Sequence, residues 1–194
     1  MQAKPIELEV SLKGQKVGSV RMNVKITAEG SKRSESKIEL KSNGETLNLQ
    51  TTDVWDNAGR PVMKLVAKPG KESVQSRVNF SGLVATVQVF EGEKQISRKL
   101  FTAPKGIPVA DLSEFWILRD LPAKGAKVSS QLFNPHTSTW DTVTSTYIGF
   151  EKHNGAPSHK ITKKMKNSTV EIWLDTQGLP LEIKSSDGTV MIRK

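Results

Sequence analysis

The chain has 194 residues, a formal net charge of +9 and no cysteine. Its length suits one domain with a substantial core, and the lack of cysteine excludes disulfides, thiolate metal centres and cysteine nucleophiles. No apolar run reaches the roughly 18 residues that a membrane-spanning helix needs, so no transmembrane segment is predicted.

The first hundred residues are predicted to form an antiparallel meander. Residues 19–26 alternate strictly between polar and apolar side chains, which is the period of a strand with one solvated face. The pair Asn43 and Gly44 marks a two-residue hairpin, and residues 68–70 and 91–93 mark further turns. The spacing of these turn signals is typical of a sandwich, a barrel or a large curved sheet.

One helix is predicted to interrupt the strands, at residues 109–119. Leu112, Phe115 and Trp116 give this segment a broad apolar face. Glu114 places negative charge near its start, where the helix dipole favours it. We therefore expect an apolar helix that packs against the sheet.

A turn motif of the first half recurs in the second. Residues 56–62 and 175–181 share the pattern D-x-x-G-x-P followed by an apolar residue, and Trp55 or Trp173 stands just before each copy. An Asp at the first position and a Gly at the fourth suit a type I turn closed by a left-handed Gly. The repeat therefore predicts two similar halves.

Together these elements predict a single β-rich domain over residues 1–194. Its strand-rich halves, about 6–101 and 126–193, are joined by the helix. The predicted fold class is mainly β, a strongly curved antiparallel sheet that forms an open or half barrel of about ten to thirteen strands. We expect the helix on the concave side of this sheet.

No catalytic or metal-binding motif is legible in the sequence. The nucleophile elbow, the zinc-protease helix motif, the phosphate loop and the dinucleotide fingerprint are all missing. The histidines are His136, His153 and His159. His153 and His159 flank one proline-containing loop at a spacing of six, which fits no helix face, so exposed loop histidines are expected and a metal site there is the less favoured alternative. We expect a protein that is not an enzyme and needs no cofactor, with a hydrolase of dispersed catalytic residues as the remaining alternative.

The tryptophans are the candidate ligand-binding residues. Large aromatic side chains line apolar pockets, although they also serve in plain core packing. Combined with the apolar face of the helix, they give a predicted pocket wall of Leu112, Phe115, Trp116, Trp140 and Trp173.

Residues 152–166 form a basic segment without arginine or tryptophan. The lack of arginine and of interleaved aromatic residues disfavours nucleic acid as a partner. Lysine alone fits an anionic membrane surface better, and the simpler reading is a solvated hairpin. The candidate anionic-surface residues are Lys152, Lys160, Lys163, Lys164 and Lys166.

The order of meander, helix and further strands resembles bacterial periplasmic half-barrel proteins, namely the LolA/LolB-like lipoprotein-localisation factors and related uncharacterised envelope families. Residues 12–18 look like the glycine-containing opening of some of these families, and residues 173–181 are similar to their recurrent W-x-D-x-x-G-x-P segment. The chain departs from the lipoprotein carriers in having no cysteine. The resemblance implies a concave sheet with a helix as lid, which binds a lipid, an acyl chain, a lipidated peptide or a protein partner.

The expected function is therefore that of a non-enzymatic bacterial envelope protein. It would bind an apolar or amphipathic ligand between the curved sheet and the helix. The alternative is a protein–protein or anionic-surface interaction module that uses a sheet edge or the lysine-rich segment 152–166. The resemblance implies a periplasmic or secreted protein. No signal sequence is legible near the start, so such a protein would lack its signal here, and a cytoplasmic location stays open.

Overall fold

A computed structural model describes residues 5–42, 44–70, 73–110 and 113–194, without the side chains of residues 42 and 113–116. The strands of the first half are β1 (Ile6–Leu12), β2 (Gln15–Ile26), β3 (Lys32–Ser42), β4 (Glu45–Trp55), β5 (Pro61–Lys68), β6 (Val74–Ser81), β7 (Val84–Glu91) and β8 (Lys94–Thr102). Helix α1 (Ser113–Asp120) follows. The second half contributes β9 (Lys127–Asn134), β10 (Thr139–His153), β11 (Ala156–Lys164), β12 (Thr169–Leu174), β13 (Pro180–Ser185) and β14 (Thr189–Arg193).

These strands form one antiparallel sheet that is not closed, which confirms the predicted fold class. The fourteen strands exceed the predicted range by one. Lys13 and Gly14, with φ of 50° and 81°, form a two-residue turn that separates β1 from β2. Of the predicted turn at Asn43 and Gly44, Asn43 lies outside the described residues and Gly44 has a φ of 80°.

The order of the strands across the sheet is β8-β7-β6-β5-β4-β3-β2-β1-β14-β13-β12-β11-β10-β9. Each half is a simple meander, and the two meanders meet where β1 pairs with β14, with Val10 opposite Met191. Strands β8 and β9 are therefore the two edges of the sheet, and α1 lies in the segment that connects them.

One face of the sheet carries the apolar core. Directly opposed residues of antiparallel strands point to the same face, so the row Met191, Ile183, Ile172 and Ile161 joins β14 to β11 on that face. The buried clusters on it are Ile6, Leu8, Val10 and Val20 near the middle of the sheet, and Tyr147, Ile161 and Leu174 beside Ile117 of α1. We call this the concave face, and the opposite one the convex face.

The sheet overlaps itself at its ends. Phe133 and Trp140, on β9 and β10, pack against Phe80 and Phe101 of β6 and β8. Phe133 and Trp140 are directly opposed, but by strand alternation they point away from the concave-face residue Tyr147. The β9–β10 hairpin is thus buried on both sides, as the exposures of Ser130 (5%) and Gln131 (2%) show.

Helix α1 begins at Ser113, four residues later than the start predicted at residue 109. Val109 instead bridges to Gln131 of β9 in parallel fashion, and the Gln131 backbone N–H donates to the Pro108 carbonyl at 2.7 Å. This pairing holds residues 108 and 109 extended, so the helix cannot include them. Ile117 of α1 is fully buried.

The repeated motif forms two equivalent turns. In both, the first aspartate accepts two backbone N–H bonds on Oδ1 at 2.9 Å, from Ala58 and Arg60 in one copy and from Gln177 and Leu179 in the other. The glycines at the fourth position have φ of 76° and 77°. The predicted turn chemistry of the motif is therefore confirmed.

Candidate functional site

The concave face is covered by α1 over part of the second half. Ile117 packs against Tyr147, Ile161 and Leu174, which lie on three neighbouring strands. The Tyr147 hydroxyl lies 3.0 Å from Nδ1 of His159. Burial raises the pKa of Tyr147 and lowers the pKa of His159. Both groups are therefore favoured in their neutral forms, and they form a weakly polar site at the rim of an apolar cluster.

The concave face of the first half is apolar but remains open to solvent at its margins. Ile26, Leu47, Val62 and Val74 all lie on this face by strand register and alternation. Each of them is 40–52% exposed. Large apolar side chains on the inner side of a curved sheet usually find a covering partner, so this surface is a candidate contact for one.

A polar strip divides this apolar surface along β3 to β5. Ser34 and Ser36 are buried on the concave face, opposite Asp53 and Thr51 of β4. Across the next strand pair, Lys64 Nζ lies 3.0 Å from Asp53 Oδ1. A half-buried ion pair next to apolar side chains could meet the polar head of a ligand, while the apolar margins meet its chain.

Lys32 and Trp55 stand at one end of the polar strip. They are directly opposed on β3 and β4, and Lys32 Nζ lies 4.9 Å from the centroid of the Trp55 ring. Lys32 is only 6% exposed, so its ammonium is largely removed from water, where a cation–π contact is strongest. This places a buried positive charge on the concave face.

The predicted pocket wall is not assembled as one surface among the described residues. Leu112 lies outside the described residues, and the side chains of Phe115 and Trp116 do so as well. Trp140 fills the overlap between β10 and β8, where its indole Nε1 donates to the Phe101 carbonyl at 3.2 Å. Trp173 lies on the convex face, because it alternates with Leu174 of the concave cluster.

Trp173 is the centre of a charged cluster on the convex face. The ring of His153 stacks on it with centroids 4.4 Å apart, and its indole N–H donates to Glu151 at 3.3 Å. Lys160 and Lys184 place their ammonium groups 4.6 and 5.0 Å from its centroid. The result is a tryptophan that is only 5% exposed among charged and polar neighbours.

Glu182 is the buried acid of this cluster. One carboxylate oxygen pairs with His153 Nε2, and the other lies 2.9 Å from Lys184 Nζ. Burial alone would raise the pKa of Glu182, but the hydrogen bonds from Lys184 and His153 outweigh it and hold that pKa below its ordinary value. The cluster fastens the β10–β11 hairpin to β13. It offers a paired acid and base, but no hydroxyl of a described residue is bonded to His153.

The five lysines of residues 152–166 do not share a surface. Lys163 and Lys164 alternate between the two faces of β11, and Lys160 is bound to Glu171 at 3.1 Å beside Trp173. Lys152 lies near the turn of the β10–β11 hairpin, whereas Lys166 follows β11 at the other end of that hairpin. Their role against an anionic surface stays a prediction.

Two features of the site were missed by the sequence reasoning. The His153–Glu182 pair joins two residues that are 29 positions apart and share no motif, so no local sequence pattern predicts it. The polar strip was detectable, because β3 carries serine at residues 34 and 36 where the strand pattern calls for apolar side chains.

Two shallow cavities, of about 300 and 400 Å³, lie on β2 to β4. Both are lined by Arg21, Lys37 and Gln50, which form one row on the convex face. Their charged lining separates them from the apolar concave face. No cluster of three potential metal ligands occurs among the described residues, and none of their helices has the length and apolar character to cross a membrane.

Comparison with known proteins supports the fold. No protein-family model and no curated protein matches the chain. A crystal structure of a beta-barrel-like protein of domain of unknown function DUF1849 from Brucella abortus is similar to it, with a TM-score of 0.66 and 9% sequence identity. The similarity covers 100% of this chain and 97% of the other. The two chains share a curved antiparallel β fold throughout.

Proposed function

We propose that the protein is a non-enzymatic bacterial envelope protein that binds an amphipathic ligand with an acyl chain on its concave face. The observation that carries the proposal is the partly exposed apolar surface of β2 to β6, which includes Leu47 and Val74. Exposed apolar surface of this kind marks ligand or partner contacts. The neighbouring face of the second half is already covered by Ile117 of α1.

The polar strip supports a ligand with a polar head. Asp53 and Lys64 can exchange hydrogen bonds with a headgroup. The chain of the ligand would then lie along the apolar margin, where each buried methylene stabilises the complex by about 0.8 kcal/mol. We propose that α1, which packs on β10 to β12 through Ile117, borders this binding space.

The test begins with native mass spectrometry of the purified protein and solvent extraction of anything bound. A fluorescent C16 fatty acid is then titrated into the protein after lipid removal. Leu47→Asp places a carboxylate on the concave face and is expected to weaken binding about tenfold or more. The matched control is Leu100→Asp, because Leu100 is an exposed leucine of the convex face.

Equal affinities for Leu47→Asp and Leu100→Asp, with both proteins folded by circular dichroism, would overturn the proposal. Absence of saturable binding to the wild-type protein would overturn it as well. A second variant, Ile117→Ala, tests the role of α1 and is expected to bind the fatty acid more weakly. Leu118→Ala changes a side chain that is 43% exposed, and it is expected to bind the fatty acid as the wild type does.

A further inference from the structure

The two edge strands of the sheet differ in how far other segments cover them. The edge strand β9 is partly covered, because Pro108 and Val109 pair with Gln131. The edge strand β8 pairs with β7 and with no other described strand. One edge of the sheet therefore remains available for a further strand.

The backbone of β8 presents hydrogen-bonding groups on its open side. The N–H of Ala103 donates to Leu83 at 2.7 Å, which continues the β7–β8 ladder. Because the direction of backbone groups alternates along an antiparallel strand, Phe101 and Lys99 also face β7, whereas Leu100 and Arg98 face outward. No backbone bond from another described segment reaches residues 98, 100 or 102.

The side chains around these groups are basic and apolar. Leu100 is 64% exposed and Ile96 is 53% exposed. Lys94, Arg98 and Lys99 give β8 three positive charges and no negative one. The register irregularity opposite Val89 and Phe90 falls near Ile96, so the regular part of the edge is its C-terminal half.

We propose that β8 binds an extended acidic segment of another protein, which adds a strand to the sheet. The backbone of the segment would pair with Arg98 and Leu100, as in other cases of strand addition. An antiparallel partner would carry an apolar residue opposite Leu100, followed by two acidic residues opposite Lys99 and Arg98. The proposal is independent of the acyl ligand on the concave face.

The positive charges of β8 favour an acidic partner over a second copy of the chain. Two β8 strands paired antiparallel about Arg98 would place the two guanidinium groups directly opposite each other. Paired about Leu100, they would place Arg98 and Lys99 opposite Thr102 and Phe101, so neither register gives the basic residues an acidic partner. Like charges opposite each other destabilise a strand pair, and opposite charges stabilise it. An acidic segment therefore fits the edge better than β8 itself does.

The experiment uses a fluorescein-labelled eight-residue peptide that contains a valine followed by two glutamates, measured by fluorescence polarisation at low salt. Saturable binding to the full chain is expected. The double variant Arg98→Glu with Lys99→Glu should weaken it about tenfold or more, since two attractive pairs become repulsive. The control is Lys25→Glu with Lys152→Glu, two exposed lysines elsewhere, which should leave affinity within about twofold.

A second peptide separates strand addition from plain charge attraction. It has the same sequence with alternate backbone amides N-methylated, so that it keeps its charge but cannot pair along an edge. Loss of its binding supports the proposal. Equal binding of both peptides, no binding of either, or a dimer of the wild-type chain in sedimentation that the double variant abolishes would each overturn it.

Discussion

The indole Nε1 of Trp140 donates a hydrogen bond to the backbone carbonyl of Phe101 at 3.2 Å. Phe101 belongs to β8, the first strand in the sheet order, and Trp140 belongs to β10, the last but one. One side chain thus ties together the two ends of an open sheet. The Phe133 ring lies between them, 5.1 Å from Trp140 and 5.5 Å from Phe101 between centroids.

Replacement of Trp140 by Phe should therefore weaken the whole fold. The change removes the hydrogen bond and part of the ring from the overlap, and it should lower the free energy of unfolding by about 1–3 kcal/mol. Urea denaturation followed by circular dichroism measures this. Phe150→Leu, at an aromatic residue that is 57% exposed, should change stability by less than about 0.5 kcal/mol; equal losses in the two variants would contradict the role of the overlap.

The two equivalent turns should respond differently to the same substitution. Asp175 Oδ2 accepts a bond from Arg193 Nη1 at 2.8 Å in a half-buried setting, with side-chain exposures of 21% and 23%. Asp56 pairs with Arg60, whose side chain is 68% exposed. Asp175→Asn should cost about 1–3 kcal/mol and Asp56→Asn less than about 1 kcal/mol.

Thermal and urea unfolding of this pair of variants provide the measurement. Both substitutions keep the Oδ1 acceptor that the turn uses, so each serves as the control of the other. If Asp56→Asn proved as costly as Asp175→Asn, the bond to Arg193 would not contribute to stability.

Gly18 should tolerate no side chain. A Cβ built on Gly18 overlaps the backbone carbonyl oxygen of Glu39 on the neighbouring strand, and neither backbone can move without disturbing the middle of the sheet. Gly18→Ala should therefore lower stability by about 1–3 kcal/mol. Ser19→Ala, one residue further along β2, should leave stability nearly unchanged. Urea denaturation measures both variants, and equal unfolding midpoints for the two would contradict the predicted overlap at Gly18.

Glu182 should make stability depend on pH in the acid range. Its pKa is lowered in the folded protein, so the stabilisation from its ionised form is present above the ordinary value of 4.5 and is lost as pH falls through the folded-state pKa. The groups that face it are His153, Lys184 and Trp173. Glu182→Gln should be less stable near pH 7 and should lose less stability than wild type below pH 4.5.

The readout is the urea midpoint measured at intervals from neutral to acid pH. Glu45→Gln, an exposed glutamate on β4, is the matched control and should follow the wild-type curve. Parallel curves for Glu182→Gln and wild type would show that this carboxylate does not carry the acid dependence.

Local features of the fold were accessible from the sequence because they depend on neighbouring residues. The turns at Asp56 and Asp175 follow from aspartate and glycine at fixed positions. The opposite orientations of Trp55 and Trp173 were also legible: Trp55 directly precedes its aspartate, whereas Trp173 stands two residues before. A one-residue offset reverses the face of a strand, so the two tryptophans lie on opposite faces of the sheet.

Long-range features were not accessible. The pairing of β1 with β14 and the contact of Trp140 with Phe101 join segments far apart in sequence. They depend on how a whole curved sheet packs, and no short pattern encodes that. The same holds for His153 and Glu182, which lie on β10 and β13.

The strand order also shows how this fold is related to an uninterrupted meander. Suppose that residue 194 were joined to residue 5 through a short linker and that the chain were opened between Lys105 and Gly106, both of which are exposed. The strands would then follow one another along the chain as β9 to β14 and then β1 to β8. Every strand would then be paired with its immediate neighbour in sequence. The fold is thus a circular permutation of an uninterrupted up-and-down meander, and a chain reconnected in that way should fold faster because its contacts are local.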